Sequence, residues 1–212
     1  MITIGSCSKT ERRLSAVLGN KAPAVVDAGT SGNRVLHGST CDGQSALARF
    51  HRDALSQPAV KAVILLEGIN DIGFSAEPDT GCFSPNDPKL TATQIEAGYR
   101  RLIKMAHASG VKIFAGTLMP FLGSNCVYAG NYGTRRGERL RERVNHWIKT
   151  SHAFDGVADL ATATADPYNH RYLNPSYNST AATACQTADS LHPNDLGDQA
   201  IADAIPLKWF TK

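Results

Sequence analysis

The chain alternates between short, dense apolar runs and longer stretches in which apolar residues return every three or four positions. Val60–Leu66 is the densest run, the pattern of a strand buried on both faces. Val111–Leu118 is a second such run, ended by Pro120, and Ala22–Ala28 is a third, closed by Gly29. Met1–Gly5 and Val157–Leu160 read as shorter strands. The helical stretches lie between them. Ser45–Leu55 carries Ala46, Leu47, Phe50 and Leu55 at helical spacing. Thr91–Ser109 opens with a Thr91/Gln94 capping box, places Ile95, Tyr99, Leu102, Ile103 and Ala106 on one face, and stops at Gly110. Thr134–Thr150 turns Leu140, Val144, Trp147 and Ile148 inward. Leu196–Ile205 closes the chain on Leu196, Ala200, Ile201, Ala204 and Ile205.

Strands alternating with helices of this length predict an α/β protein with a parallel sheet covered on both faces. In such sheets ligands bind beyond the carboxyl ends of the strands. Gly5–Ser8, Gly29–Asn33, Gly68–Asp71 and Met119–Phe121 all follow strands and are expected to gather along one edge. No repeat, linker or low-complexity tract divides the 212 residues, so one domain spanning 1–212 is the expectation.

Charge excludes more than it suggests. A net charge of +3 is too mild for a nucleic-acid partner. The densest basic run, Arg135 to Arg143, is interleaved with Glu138 and Glu142 and reads as the solvated face of a helix. No stretch approaches the ~18 apolar residues of a membrane span. Lys9, Glu11, Arg12 and Arg13 leave no signal-peptide core, so the protein stays inside the cell or the sequence is a mature or trimmed form. Of five cysteines, Cys41, Cys82, Cys126 and Cys185 fall in loop-like segments without CxxC spacing. That pattern argues against zinc and toward disulfides and secretion, with Cys7 left over at a strand end. Asn178-Ser179-Thr180 fits the N-glycosylation pattern, which also arises by chance.

The chemistry sits in two segments. Asp189 and His192, three apart, can meet in a tight turn, where the carboxylate holds one imidazole nitrogen and the other faces a substrate. Asn70, after Gly68 at the mouth of the strongest strand, can donate its side-chain N–H to an oxyanion, while Asp71 caps a helix or holds the loop. Gly32, in Thr30-Ser31-Gly32-Asn33-Arg34, permits a tight turn and exposes a backbone N–H.

Gly32, Gly68-x-Asn70-Asp71 and Asp189-x-x-His192 resemble blocks II, III and V of the SGNH (GDSL-type) hydrolases, and the resemblance runs from Val25 to Ile205. It implies a three-layer α/β/α fold around a flavodoxin-like sheet of about five parallel strands. It also implies ester hydrolysis without metal or organic cofactor, with an oxyanion hole built from the nucleophile's N–H, the Gly32 N–H and the Asn70 side chain. The departure is in block I. Where the family has Gly-Asp-Ser, this chain reads Gly5-Ser6-Cys7-Ser8. Three readings stay open: Ser6 is the nucleophile, Cys7 is, or the chain lacks one, as a truncated gene start or a pseudoenzyme would. The expected function is therefore hydrolysis of short acyl esters, small or carried on acetylated polysaccharide. Its rivals are a carbohydrate- or acyl-binding protein without turnover and an acyltransferase.

Overall fold

A computed structural model describes residues 7–75, 89–180 and 188–211. Three parallel strands, β1 (Ala62–Leu65), β2 (Lys112–Gly116) and β3 (Gly156–Ala158), lie side by side in that order. Ala62 is in register with Lys112, and Phe114 with Gly156. Along β1 and β2, Val63, Leu65, Ile113 and Ala115 face one core, and Ala62, Ile64 and Phe114 face a second. That alternation is what a sheet covered on both faces requires.

Seven helices surround the sheet among the described residues: α1 (Cys7–Leu18), α2 (Ala46–Phe50), α3 (Ile69–Gly73), α4 (Ala92–Ala108), α5 (Arg135–Thr150), α6 (Leu160–Thr164) and α7 (Asp195–Ala204). Helices α4 and α5 supply the larger core with Ile95, Tyr99, Leu102, Val144 and Ile148, while Ile201 of α7 fills the smaller one. The arrangement is the expected three-layer α/β/α fold. The Thr91/Gln94 capping box forms, and Gly110 ends α4 with a φ of 66°. Helix α2 continues into a wide π-type turn over His51–Leu55. Helix α1 packs on α7 through the Lys9–Asp195 and Arg13–Asp203 ion pairs, 2.6 and 3.0 Å long.

Four expectations change. Residues Ala22–Ala28 form no strand, and Val26 is 41% exposed. A strand needs a ladder partner, and local sequence cannot count one. Arg141 is not on a solvated face. It is buried with Glu138, which it contacts at 2.5 Å, and donates to Leu118 O at 2.8 Å. Leu196, assigned to the inner side of the closing helix, is 61% exposed, because Asn194 starts α7 so that Gly197 and Ile201 face inward. Asp189–His192 is not a free turn but part of a strand, β5 (Ala188–Pro193), antiparallel to β4 (Asn178–Thr180). The glycosylation triplet is thus β4 itself. The expected first strand, Met1–Gly5, lies outside the described residues, as do Ser6, Cys82 and Cys185. No described helix is long and apolar enough to cross a membrane.

Candidate active site

The loop after β1 turns sharply at Gly68, whose φ of 119° and contact with the Tyr99 hydroxyl leave no room for a Cβ. Tyr99 donates to Glu67 O at 2.5 Å and fixes that turn. Helix α3 then presents two side chains to the segment 33–36. Asp71 points inward, fully buried, and accepts the N–H groups of Val35 and Leu36 at 2.7 and 3.0 Å. It therefore holds the loop, one of the two roles expected of it. Burial pushes its carboxyl up to about 6, although both N–H groups and Arg34 favour the charged form.

Asn70 points toward the Gly29–Asn33 loop. Its Nδ2 donates to Asn33 O at 2.9 Å, and its Oδ1 accepts from the Tyr132 hydroxyl at 2.5 Å. A carbonyl can only accept, so the amide nitrogen must face Asn33, which leaves the second amide hydrogen for another acceptor. Asn33 is itself buried and fully engaged. Its Nδ2 donates to Asp42 O and Gln44 O at 3.1 and 2.7 Å, and its Oδ1 accepts from Arg49 Nε at 2.9 Å. Arg49 also donates to Ala28 O at 2.6 Å and meets Glu67 at 3.4 Å. Burial raises Glu67 to about 8, with Arg49 opposing and Asp71 adding to the shift. Gly32 has a φ of 68°, and a Cβ there would strike the Asp42 carboxylate.

The second half of the site is the β4–β5 hairpin. His192 Nδ1 lies 3.2 Å from both carboxylate oxygens of Asp189. Oδ1 also accepts the N–H groups of Leu191 and His192 at 2.9 and 2.7 Å, and Oδ2 accepts the Tyr128 hydroxyl at 2.7 Å. Partial burial pushes the Asp189 carboxyl up, but the hydrogen bonds from Tyr128 and from His192 outweigh it and hold the group below its ordinary range. Ser190 takes a φ of 61°, and its N–H donates to Asn178 Oδ1 at 2.8 Å. Asn194 donates to Ser176 O and Asn178 O and caps α7, so the hairpin and helix are locked together. Among the described residues the ring hydrogen bonds of His192 fall on Nδ1, which leaves Nε2 available.

Gly32, Asn70 and His192 line one cleft of about 440 Å³, with Thr30, Ser31, Ile69, Met119 and Leu191 among its walls. A donor amide, a backbone N–H and a carboxylate-held imidazole around one space can take a proton and stabilise an anion. Ser6 lies outside the described residues. Cys7 is the first residue of α1, with its side chain outside them. Sequence reasoning missed Asn33, Arg49, Tyr128 and Tyr132. Asn33 was visible inside the Gly32 segment; the tyrosines sit in an aperiodic loop that gives no local signal.

A model of the GDSL-like lipase/acylhydrolase family matches residues 2–200. The fold is similar to that of an acetylxylan esterase from Geobacillus stearothermophilus, with 19% identity and a TM-score of 0.63 over 99% of this chain and 82% of that one. It is also similar to a GDSL-like lipase from Bacteroides thetaiotaomicron, with 15% identity and a TM-score of 0.61 over 96% and 82% of the two chains. A further acetyl xylan esterase, AlAXEase, shows 19% identity and a TM-score of 0.61 over 94% and 88%. No curated protein matches. With a family match over nearly all of its length and the corresponding fold, the chain belongs to the GDSL-like lipase/acylhydrolase family of hydrolases.

Proposed function

We propose that the protein hydrolyses carboxylic esters of short acyl groups, acetyl foremost. The observation that supports this best is the shared cleft, in which His192, Asn70 and Gly32 meet while Asp189 holds the far side of the imidazole. The nucleophile is the Ser6 hydroxyl or the Cys7 thiol. The Lys9–Asp195 ion pair supports that choice, because it ties the start of α1 to the start of α7, three residues beyond His192. His192 Nε2 takes the nucleophile's proton as its oxygen or sulfur bonds to the ester carbon. The carbonyl oxygen becomes an oxyanion facing the Asn70 amide and the Gly32 N–H. As the carbon–oxygen bond breaks, His192 returns the proton to the leaving alcohol. Water then attacks the acyl-enzyme, with His192 again the base, and releases the acid.

The cleft volume lies near the lower end for ligand pockets, which suits a short acyl group better than a long chain. By analogy with the acetyl xylan esterases of similar fold, the alcohol is a polysaccharide hydroxyl. Secretion belongs to the same proposal. In it, Cys41 and Cys126 are half-cystines. A second reading, ligand binding without turnover, is favoured by Gly5-Ser6-Cys7-Ser8 standing where the family has Gly-Asp-Ser.

Hydrolysis of p-nitrophenyl acetate by wild type, Ser6→Ala, Cys7→Ala and His192→Ala separates the two. The esterase reading expects activity to vanish with His192→Ala and with one of the other two. A wild type no faster than His192→Ala leaves the binding reading.

A further inference from the structure

Between α3 and the hairpin runs the loop that follows Ser124–Cys126, and it carries two tyrosines four residues apart. The Tyr132 hydroxyl donates to Asn70 Oδ1 at 2.5 Å. The Tyr128 hydroxyl donates to Asp189 Oδ2 at 2.7 Å and stands 3.0 Å from His192 Nδ1. The two rings pack on each other with centroids 5.5 Å apart. One short segment therefore touches both the oxyanion donor and the base pair, which lie far apart in the sequence.

The segment is itself anchored on α3. Asn131 N donates to Gly73 O at 2.8 Å, and Asn131 Nδ2 donates to Ser75 O. Gly73 is the residue whose missing side chain admits the Tyr132 ring, because a Cβ there would overlap it. Phe74 and Phe121 close on the same ring edge-to-face. Burial and neighbouring carboxylates raise both phenols, so they remain protonated donors at neutral pH. Without Tyr132, Asn70 keeps its bond to Asn33 O but loses the second contact that fixes the amide plane. Without Tyr128, Asp189 keeps the Leu191 and His192 N–H groups on Oδ1, but Asp189 Oδ2 and the His192 ring lose a shared partner.

We infer that Tyr128 and Tyr132 are positioning residues that hold the base pair and the oxyanion donor in one frame, Tyr132 acting through Asn70 and Tyr128 through Asp189 and His192. The inference rests on the esterase reading for its kinetics, but not for its geometry.

The test pairs kinetics with spectra in the same samples. Tyr132→Phe and Tyr128→Phe keep the rings and remove one oxygen each. Each is expected to lower kcat on p-nitrophenyl acetate about tenfold with KM within about twofold, since misplaced catalytic groups cost rate more than binding. Tyr132→Phe in an Asn70→Ala background should cost nothing further, because the residue through which it acts is gone. Equal losses in both backgrounds, or kcat within twofold of wild type in both single variants, would overturn the assignment. The side-chain amide resonances of Asn70 and the ring-nitrogen resonances of His192 give a readout that needs no turnover. They should move in Tyr132→Phe and Tyr128→Phe respectively; unmoved resonances contradict the inference even if the wild type proves inactive, a result that would overturn the esterase reading alone.

Discussion

The two halves of the site are built differently. The side that carries the proposed oxyanion donors is sunk in the protein: Asn33 and Asp71 are 1% and 0% exposed, and Arg49 and Glu67 are buried as well. The Asn33 amide and the Asp71 carboxylate are spent on holding neighbours. The side that carries the proposed base stands on a two-stranded hairpin, and the His192 side chain is 61% exposed. Its order comes from one carboxylate, which collects two backbone N–H groups, a phenol and the imidazole. Donors for an oxyanion work by being fixed before charge develops, so burial serves them. A base that passes protons between nucleophile, alcohol and water must reach all three, so exposure serves it. Burial on one side means that stability and geometry are the same interactions there, and on the other side they are not.

The contrast is broken most forcefully at Asp71. Asp71→Ala strands the Val35 and Leu36 N–H groups, at a cost of about 1–3 kcal/mol for each buried unpaired group. His192→Ala, on the exposed hairpin, should leave stability within about 0.5 kcal/mol, as surface changes do. Urea unfolding of both variants checks the pair; comparable losses in the two would remove the distinction.

A smaller effect sharpens it. Burial raises Glu67 from an ordinary value of 4.5 to about 8, so the folded protein holds this proton more tightly than the unfolded chain. The stabilisation is full below about 4.5 and is lost as pH rises toward 8. Glu67→Gln should flatten that part of the pH–stability curve relative to wild type. Parallel curves for the two proteins between those limits would show that Glu67 is ionised in the fold or titrates equally when unfolded.

How much of this could be read from the sequence follows the same division. Asp189, His192, Asn70 and Gly32 could be picked out as candidates because each sits in a short local pattern, and α4 was legible because its capping box and apolar face are local too. Arg141 was misread although its spacing to Val144 and Ile148 puts it on their face. A charged residue on an apolar stripe is a signal, and the Glu138 partner three residues back made it look like a surface pair. Ala22–Ala28 had the composition of a buried run but not the neighbours. Tyr128 and Tyr132 act across 61 and 62 residues of chain. No local pattern reports a contact of that range, and their loop has no periodicity to mark which side faces in.

The most direct test of the central claim is steady-state hydrolysis of p-nitrophenyl acetate by wild type, Asn70→Ala and His192→Ala side by side. The account predicts measurable wild-type turnover, a loss of about 10²–10³ in kcat for Asn70→Ala, as for removal of one oxyanion donor, and no activity above background for His192→Ala. Turnover that survives both substitutions would contradict it, because the cleft that joins Asn70 to His192 would then not be where the ester is cleaved.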